Sequence, residues 1–194
     1  MKKIFFFLFI TNCILATAQE KFEYRDNHFP ARYVLKNSND TISSRIMNVG
    51  VINMKKYSVH TIVKKMRFYE PNGEKKNVKE EDLQYLEITD LEGNVHKYYS
   101  SLNYLPKESG LVEVLFDGNK IDYVRDFYIS SIYGNISSMD YFIDRKKNEV
   151  KKNNWGIRKT LNHVFAEYPD LQERLKDEKS KDEVIALLQE YDKR

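Results

Sequence analysis

The chain has 194 residues, with 32 Lys and Arg against 29 Asp and Glu and a formal charge of +3 at pH 7. Fourteen tyrosines and eleven phenylalanines against seven glycines and four prolines exclude a disordered or low-complexity polypeptide. The near-balance of interspersed charge argues against a nucleic-acid binder, whose affinity rests on a basic face that neutralises phosphates.

Lys2 and Lys3 precede an apolar run from Ile4 to Leu15, and Ala16-Thr17-Ala18 follows. This pattern predicts a secretory signal peptide over residues 1–18, cleaved after Ala18. The run is too short for the roughly 20 residues of a membrane-crossing helix, and Asn12 interrupts it, so no transmembrane span is expected in the mature chain. Cys13 would have to follow a small residue to be a lipoprotein cysteine; Asn12 stands there instead, which argues against lipidation. Removing Lys2 and Lys3 from the 32 basic residues leaves 30 against 29 acidic, a charge of +1 for residues 19–194. Cleavage also removes the single cysteine, and with it any disulfide.

Short strands and tight turns are expected from Ala31 to Asp144. Ala31–Leu35 and Thr41–Val49 flank the turn Asn37-Ser38-Asn39-Asp40 as a hairpin. Tyr57–Val63 and Lys65–Tyr69 read as further strands, and Asn72-Gly73 marks a turn. Leu83–Thr89 alternates, turns at Gly93 and returns as Val95–Ser101, the clearest hairpin in the chain. Leu111–Phe116, the turn Asp117-Gly118-Asn119 and Lys120–Ile129 give another, with a last strand at Tyr141–Asp144. The basic stretch Arg145-Lys146-Lys147 with Lys151-Lys152 reads as a solvated linker.

The period then becomes helical. Ile157, Leu161, Val164, Phe165 and Tyr168 share one face, Pro169 opens a second helix with Leu171 and Leu175, and Val184, Leu187, Leu188 and Tyr191 mark a third. Ser180 and Glu183 have the form of a capping box that starts this last helix near Lys181. The expected fold is α+β, an antiparallel β-sheet roll or small sandwich followed by a C-terminal helical segment. A mainly β domain over 19–146 and helices over 147–194 are expected to pack as one domain.

No catalytic, cofactor or metal motif stands out. His28, His60, His96 and His163 lack metal-ligand spacing, and no Gly-x-Ser-x-Gly elbow or Gly-rich phosphate loop is present. The consecutive carboxylates Glu80, Glu81 and Asp82 splay apart in any turn or strand, whereas glycosidase chemistry needs two facing each other. Tyrosine offers the remaining handle: Tyr98, Tyr99, Tyr104, Tyr123, Tyr128 and Tyr133 are candidates for a surface that stacks on sugars or receives a peptide, with Tyr98, Tyr123 and Tyr128 foremost. Adjacent Tyr98 and Tyr99 must face opposite sides of a strand, so only part of the set can share a surface.

Ala31-Arg32-Tyr33-Val34-Leu35 with Asn39-Asp40-Thr41-Ile42 resembles the "G-Y-I-V-x-x-x-G-D-T-I-x-G-x-I" opening of a family of small exported proteins of unknown function in Bacteroidetes bacteria. Glu167-Tyr168-Pro169-Asp170-Leu171 and the closing Tyr191-Asp192 are similar to that family's helical ending. Ala31 and Ser44 stand where the family often has glycine. The resemblance implies an envelope location, periplasmic or extracellular, and no known activity. It also implies a modification: such bacteria attach O-glycans at Asp-Ser/Thr before an apolar residue, which Asp40-Thr41-Ile42 satisfies at Thr41. The plainer alternative is that Asp40 and Thr41 only build the turn. The functional expectation is a non-catalytic binding or assembly module whose partner is an envelope protein or glycan; the alternatives are a hydrolase with a dispersed site and a structural or stress-response component.

Overall fold

The computed structural model describes residues 22–49, 55–63, 65–107, 109–130, 134–153, 156–176 and 180–194. The expected signal peptide, Cys13 and Tyr133 lie outside the described residues. Among the described residues ten strands form one antiparallel sheet: β1 His28–Leu35, β2 Ile42–Met47, β3 Lys65–Tyr69, β4 Lys75–Lys79, β5 Leu83–Thr89, β6 Val95–Ser100, β7 Leu111–Asp117, β8 Ile121–Ile129, β9 Ile136–Asp144 and β10 Glu149–Lys152. Three helices follow, α1 Ile157–Val164, α2 Pro169–Leu175 and α3 Lys181–Lys193.

The strand order, β10-β9-β8-β7-β6-β5-β1-β2-β3-β4, places two meanders on either side of β1. One consequence is curvature. In a flat sheet β4 and β5 would stand four strand spacings apart, about 19 Å. They are joined only by the 3-10 turn Glu80–Asp82, which spans roughly 6–8 Å at about 2 Å per residue. The first half of the sheet therefore rolls over until β4 approaches β5. Its inside is filled by Phe29, Tyr33, Ile46, Met66, Phe68, Val78, Leu83, Leu86, Ile88 and Tyr98, all buried.

β1 begins earlier than expected, at His28, and includes Pro30. Pro30 pairs with Arg45 of β2, while pairing with β5 starts at Ala31, so the missing N–H falls where a ladder is needed on one side alone. Asn72-Gly73 does make a hairpin, between β3 and β4, with Gly73 in the left-handed region at φ +81°.

Two expectations are corrected. Tyr57–Val63 is no strand; it holds a 3-10 turn at Val59–Thr61. The buried Asn48 explains it, because its Oδ1 accepts from the Ser58 N–H at 3.1 Å and the Thr61 hydroxyl at 2.8 Å while its Nδ2 donates to the Lys56 carbonyl at 2.8 Å. These local bonds outcompete a sheet ladder. Secondly, Lys151 and Lys152 are not linker: they belong to β10, which lies inside the segment read as helical from 147. Asn148, at φ +50°, and the Lys147 N–H, donating to Asp144 Oδ1 at 2.9 Å, turn β9 back into β10.

The helices cover one face of the sheet's second half. Leu161, Phe165, Leu171, Leu175, Val184, Leu187 and Leu188 bury themselves with Ile121, Tyr123 and Phe142. The Ser180–Glu183 capping box forms as the spacing predicts, with the Glu183 N–H donating to Ser180 Oγ at 3.2 Å and the Ser180 N–H to Glu183 Oε2 at 2.6 Å. Among the described residues no helix is long and apolar enough to cross a membrane.

Candidate functional site

The face of β7–β10 opposite the helices is covered by the loop after β6 rather than by regular structure. Ser101 folds that loop: its N–H donates to the Gly110 carbonyl at 2.9 Å, its Oγ accepts from Ser109 N–H at 2.8 Å, and its carbonyl accepts from Tyr104 and Leu105 N–H at 2.9 and 2.7 Å. Leu105 is thereby pressed onto Val112, Val124 and Ile143. Beside this small core a pocket of about 280 Å³ opens, lined by Leu105, Pro106, Lys107 and Ser109 of the loop, Asp126 of β8, Tyr141 of β9, and Val150 and Lys152 of β10.

Asp126 is the unusual member. It shares a strand face with Val124 and is only 7% exposed. Its Oδ1 is out of solvent and has no hydrogen-bond partner among the described residues. Burial raises its pKa, opposed by Ser109, the Phe127 N–H and the charge of Lys152. Tyr141 is also pushed upward, by burial and then by Asp126 and Tyr128.

The other charges of β8 are satisfied. Arg125 Nε donates to Asp140 Oδ1 at 2.6 Å, and Tyr123 donates to Asp140 Oδ2 at 2.8 Å. Asp122 accepts from Gly118 N–H at 3.2 Å and from Arg145 Nε at 2.8 Å. Three buried side-chain oxygens lack partners among the described residues, Ser100 Oγ, Asn153 Oδ1 and Asp126 Oδ1, and the last alone belongs to an ionisable group.

Two wider hollows, of about 380 and 530 Å³, lie where β4 turns into β5 and share Lys36 and Glu81. Glu81 is already paired with Lys79 at 2.8 Å, and Glu80, Glu81 and Asp82 follow one another around a single 3-10 turn. Among the described residues these hollows contain no partnerless buried group. A further hollow of about 220 Å³ contains His96 and Asp90, with Nε2 and Oδ2 3.0 Å apart. Asp90 Oδ1 also accepts from the Glu92 and Asn94 N–H groups, each at 2.9 Å, so this pair builds the β5–β6 turn. Among the described residues no three His, Cys, Asp or Glu side chains are grouped to hold a metal.

The tyrosines offered as candidates for a binding surface, only part of which could share one face, do not converge. Tyr98 is fully buried inside the roll, its hydroxyl 2.7 Å from that of Tyr57. Tyr123 is fully buried under the helices, stacked on Phe142 at 4.6 Å. Neither is open to a ligand. Tyr128, 41% exposed, lies on the Asp126 face of β8, two residues beyond it. Tyr99 and Tyr104 are half-buried neighbours with ring centres 6.3 Å apart. Thr41 is exposed between β1 and β2, where the Asp40 N–H donates to Ser38 Oγ at 3.0 Å. Sequence reasoning missed Asp126, Tyr141 and Lys152; the signal was an acid in mid-strand, alternating with Val124 and Tyr128 onto one face.

No family model, curated protein or solved structure matches this chain.

Proposed function

We propose that this is an exported envelope protein acting as a binding module, with its ligand seated in the pocket at Asp126. The observation that carries the reading is the partnerless Oδ1 of a buried carboxylate in a pocket with apolar walls and lysines at its edge. A group of this kind is costly to leave unpaired, and concave apolar sites with a few polar groups are where small ligands bind. Binding without turnover is favoured over hydrolysis: the described lining offers one carboxylate and no imidazole, whereas paired-carboxylate chemistry requires two.

Export is supported by the charged, apolar and small-residue succession of the first 18 residues. Intact-mass measurement on protein recovered from a bacterial host tests it; the expected species starts at Gln19, and a full-length chain retaining Met1 overturns it. Excess mass abolished by Thr41→Ala would assign a glycan to Thr41. The site itself is tested by titrating the ¹⁵N-labelled mature chain with a library of small polar compounds. Shifts clustered at Asp126, Tyr141 and Lys152 support it, and a library that moves none of them removes the pocket as the binding site.

A further inference from the structure

The chemistry of the pocket specifies more than its presence, on the reading above that it is a binding site. A buried carboxylate oxygen lacking a donor is best matched by a cationic N–H group, since charge-assisted bonds are the strong ones in a low-dielectric setting. Among the described residues none supplies that donor to Oδ1. Lys152 is paired with Tyr141, which is paired with Val124, two residues before Asp126. Its backbone is therefore about 10 Å across the sheet and about 7 Å along it from that of Asp126.

Lys107, from the loop, and Lys152, from the outermost strand, both line the pocket and are both exposed, and the charge of Lys152 reaches Asp126. The lining thus combines a buried carboxylate, two exposed cations and the apolar surface of Leu105, Pro106 and Val150 with the Tyr141 ring. A ligand complementary to this arrangement carries a positive end, a negative end and an apolar body. The volume, about 280 Å³, sets its size below that of a drug-like molecule.

We infer that the pocket takes a small zwitterion of amino-acid to dipeptide size, with its ammonium on Asp126, its carboxylate towards Lys107 and Lys152, and an apolar side chain against Leu105 and Val150. The two ends contribute unequally. The ammonium meets a buried charge, whereas the carboxylate meets exposed, solvated lysines whose pairing is worth little. Removing the ammonium should therefore weaken binding more than removing the carboxylate.

Calorimetry and ¹⁵N spectra of residues 19–194 with L-leucine, L-phenylalanine and the dipeptide Leu-Ala provide the test, with N-acetyl-leucine, leucinamide and neutral glucose as comparisons. The expected result is binding by at least one zwitterion, weakened about tenfold or more by acetylation and by Asp126→Asn, and only a few-fold by amidation or Lys152→Ala. Circular dichroism of each variant separates loss of binding from loss of fold. N-acetyl-leucine binding as tightly as leucine overturns the inference. Glucose shifting the same resonances while the zwitterions do not also overturns it, but leaves the pocket a binding site. Silence from every probe overturns the ligand class, and only a similarly silent wider library removes the site as well.

Discussion

Asp192, two residues from the last residue of the chain, accepts the backbone N–H of Lys120 on its Oδ1 at 2.6 Å. Asn119 donates to its other oxygen at 3.2 Å, so the end of α3 clasps the turn between β7 and β8. The pairing spans 72 residues of sequence and ties the helical layer to the strand carrying Asp126. Asp192→Ala is expected to destabilise the fold by about 1–2 kcal/mol, as for loss of hydrogen bonds to a charged group at a partly exposed site. Urea unfolding of the two proteins measures this, and an unchanged midpoint would count against the clasp.

The same carboxylate gives a pH dependence. Burial opposes ionisation, but the Asn119 and Lys120 donors outweigh it and hold the Asp192 pKa below the usual carboxylate value. A depressed pKa means that the contribution is present above the unfolded value and disappears as the pH falls through the folded one. The stability difference between wild type and Asp192→Ala should therefore be largest near neutrality and shrink below about pH 4.

Asp126 is expected to behave oppositely. Its folded pKa is raised, so above that value the native state bears an ionised buried group that the unfolded chain solvates freely. Its destabilising effect is absent below the unfolded pKa and grows as the pH rises through the folded one. Asp126→Asn should stabilise residues 19–194 at neutral pH, with the gain fading towards about pH 4. Melting curves at two pH values decide it. A lower melting temperature for the variant at neutral pH would show that the carboxylate is a structural anchor.

The helical layer was legible because its signals are local: one apolar face per helix, Pro169 at a first turn, and Ser180 three residues before Glu183. The roll was only partly legible. Alternation marked the long strands, but β10 has a single apolar residue, Val150, and is held mainly by pairing to β9, which no local pattern reveals. Asn48 likewise overrode the apparent strand at Tyr57–Val63 from ten residues away. The tyrosine surface failed on parity already present in the sequence: Tyr123 and Tyr128 are five residues apart on β8, so they face opposite sides. The Asp126 site depends on the loop at Ser101–Gly110 covering the sheet, a tertiary event that spacing does not encode.

Helix α3 supplies a local test of the cap. Ser180→Ala removes the acceptor for the Glu183 N–H and is expected to cost about 1 kcal/mol. Because α3 buries Val184, Leu187 and Leu188 against the sheet, the loss should appear in global unfolding. A melting temperature equal to that of wild type would mean that the cap is redundant with this packing.

Tyr98 and Tyr128 provide the clearest contrast between core and surface. Tyr98→Phe keeps the ring inside the roll but deprives the Tyr57 hydroxyl of the partner it has at 2.7 Å. The expected cost is about 1–2 kcal/mol, the penalty for leaving a partly buried polar group unpaired. Tyr128→Phe changes a side chain that is 41% exposed, and its stability should stay within about 0.5 kcal/mol of wild type. Parallel chemical denaturation of the two variants gives the comparison. Equal stability for both would show that the Tyr57–Tyr98 hydroxyl pair contributes nothing to the fold, whereas a loss confined to Tyr98→Phe assigns this tyrosine to the framework.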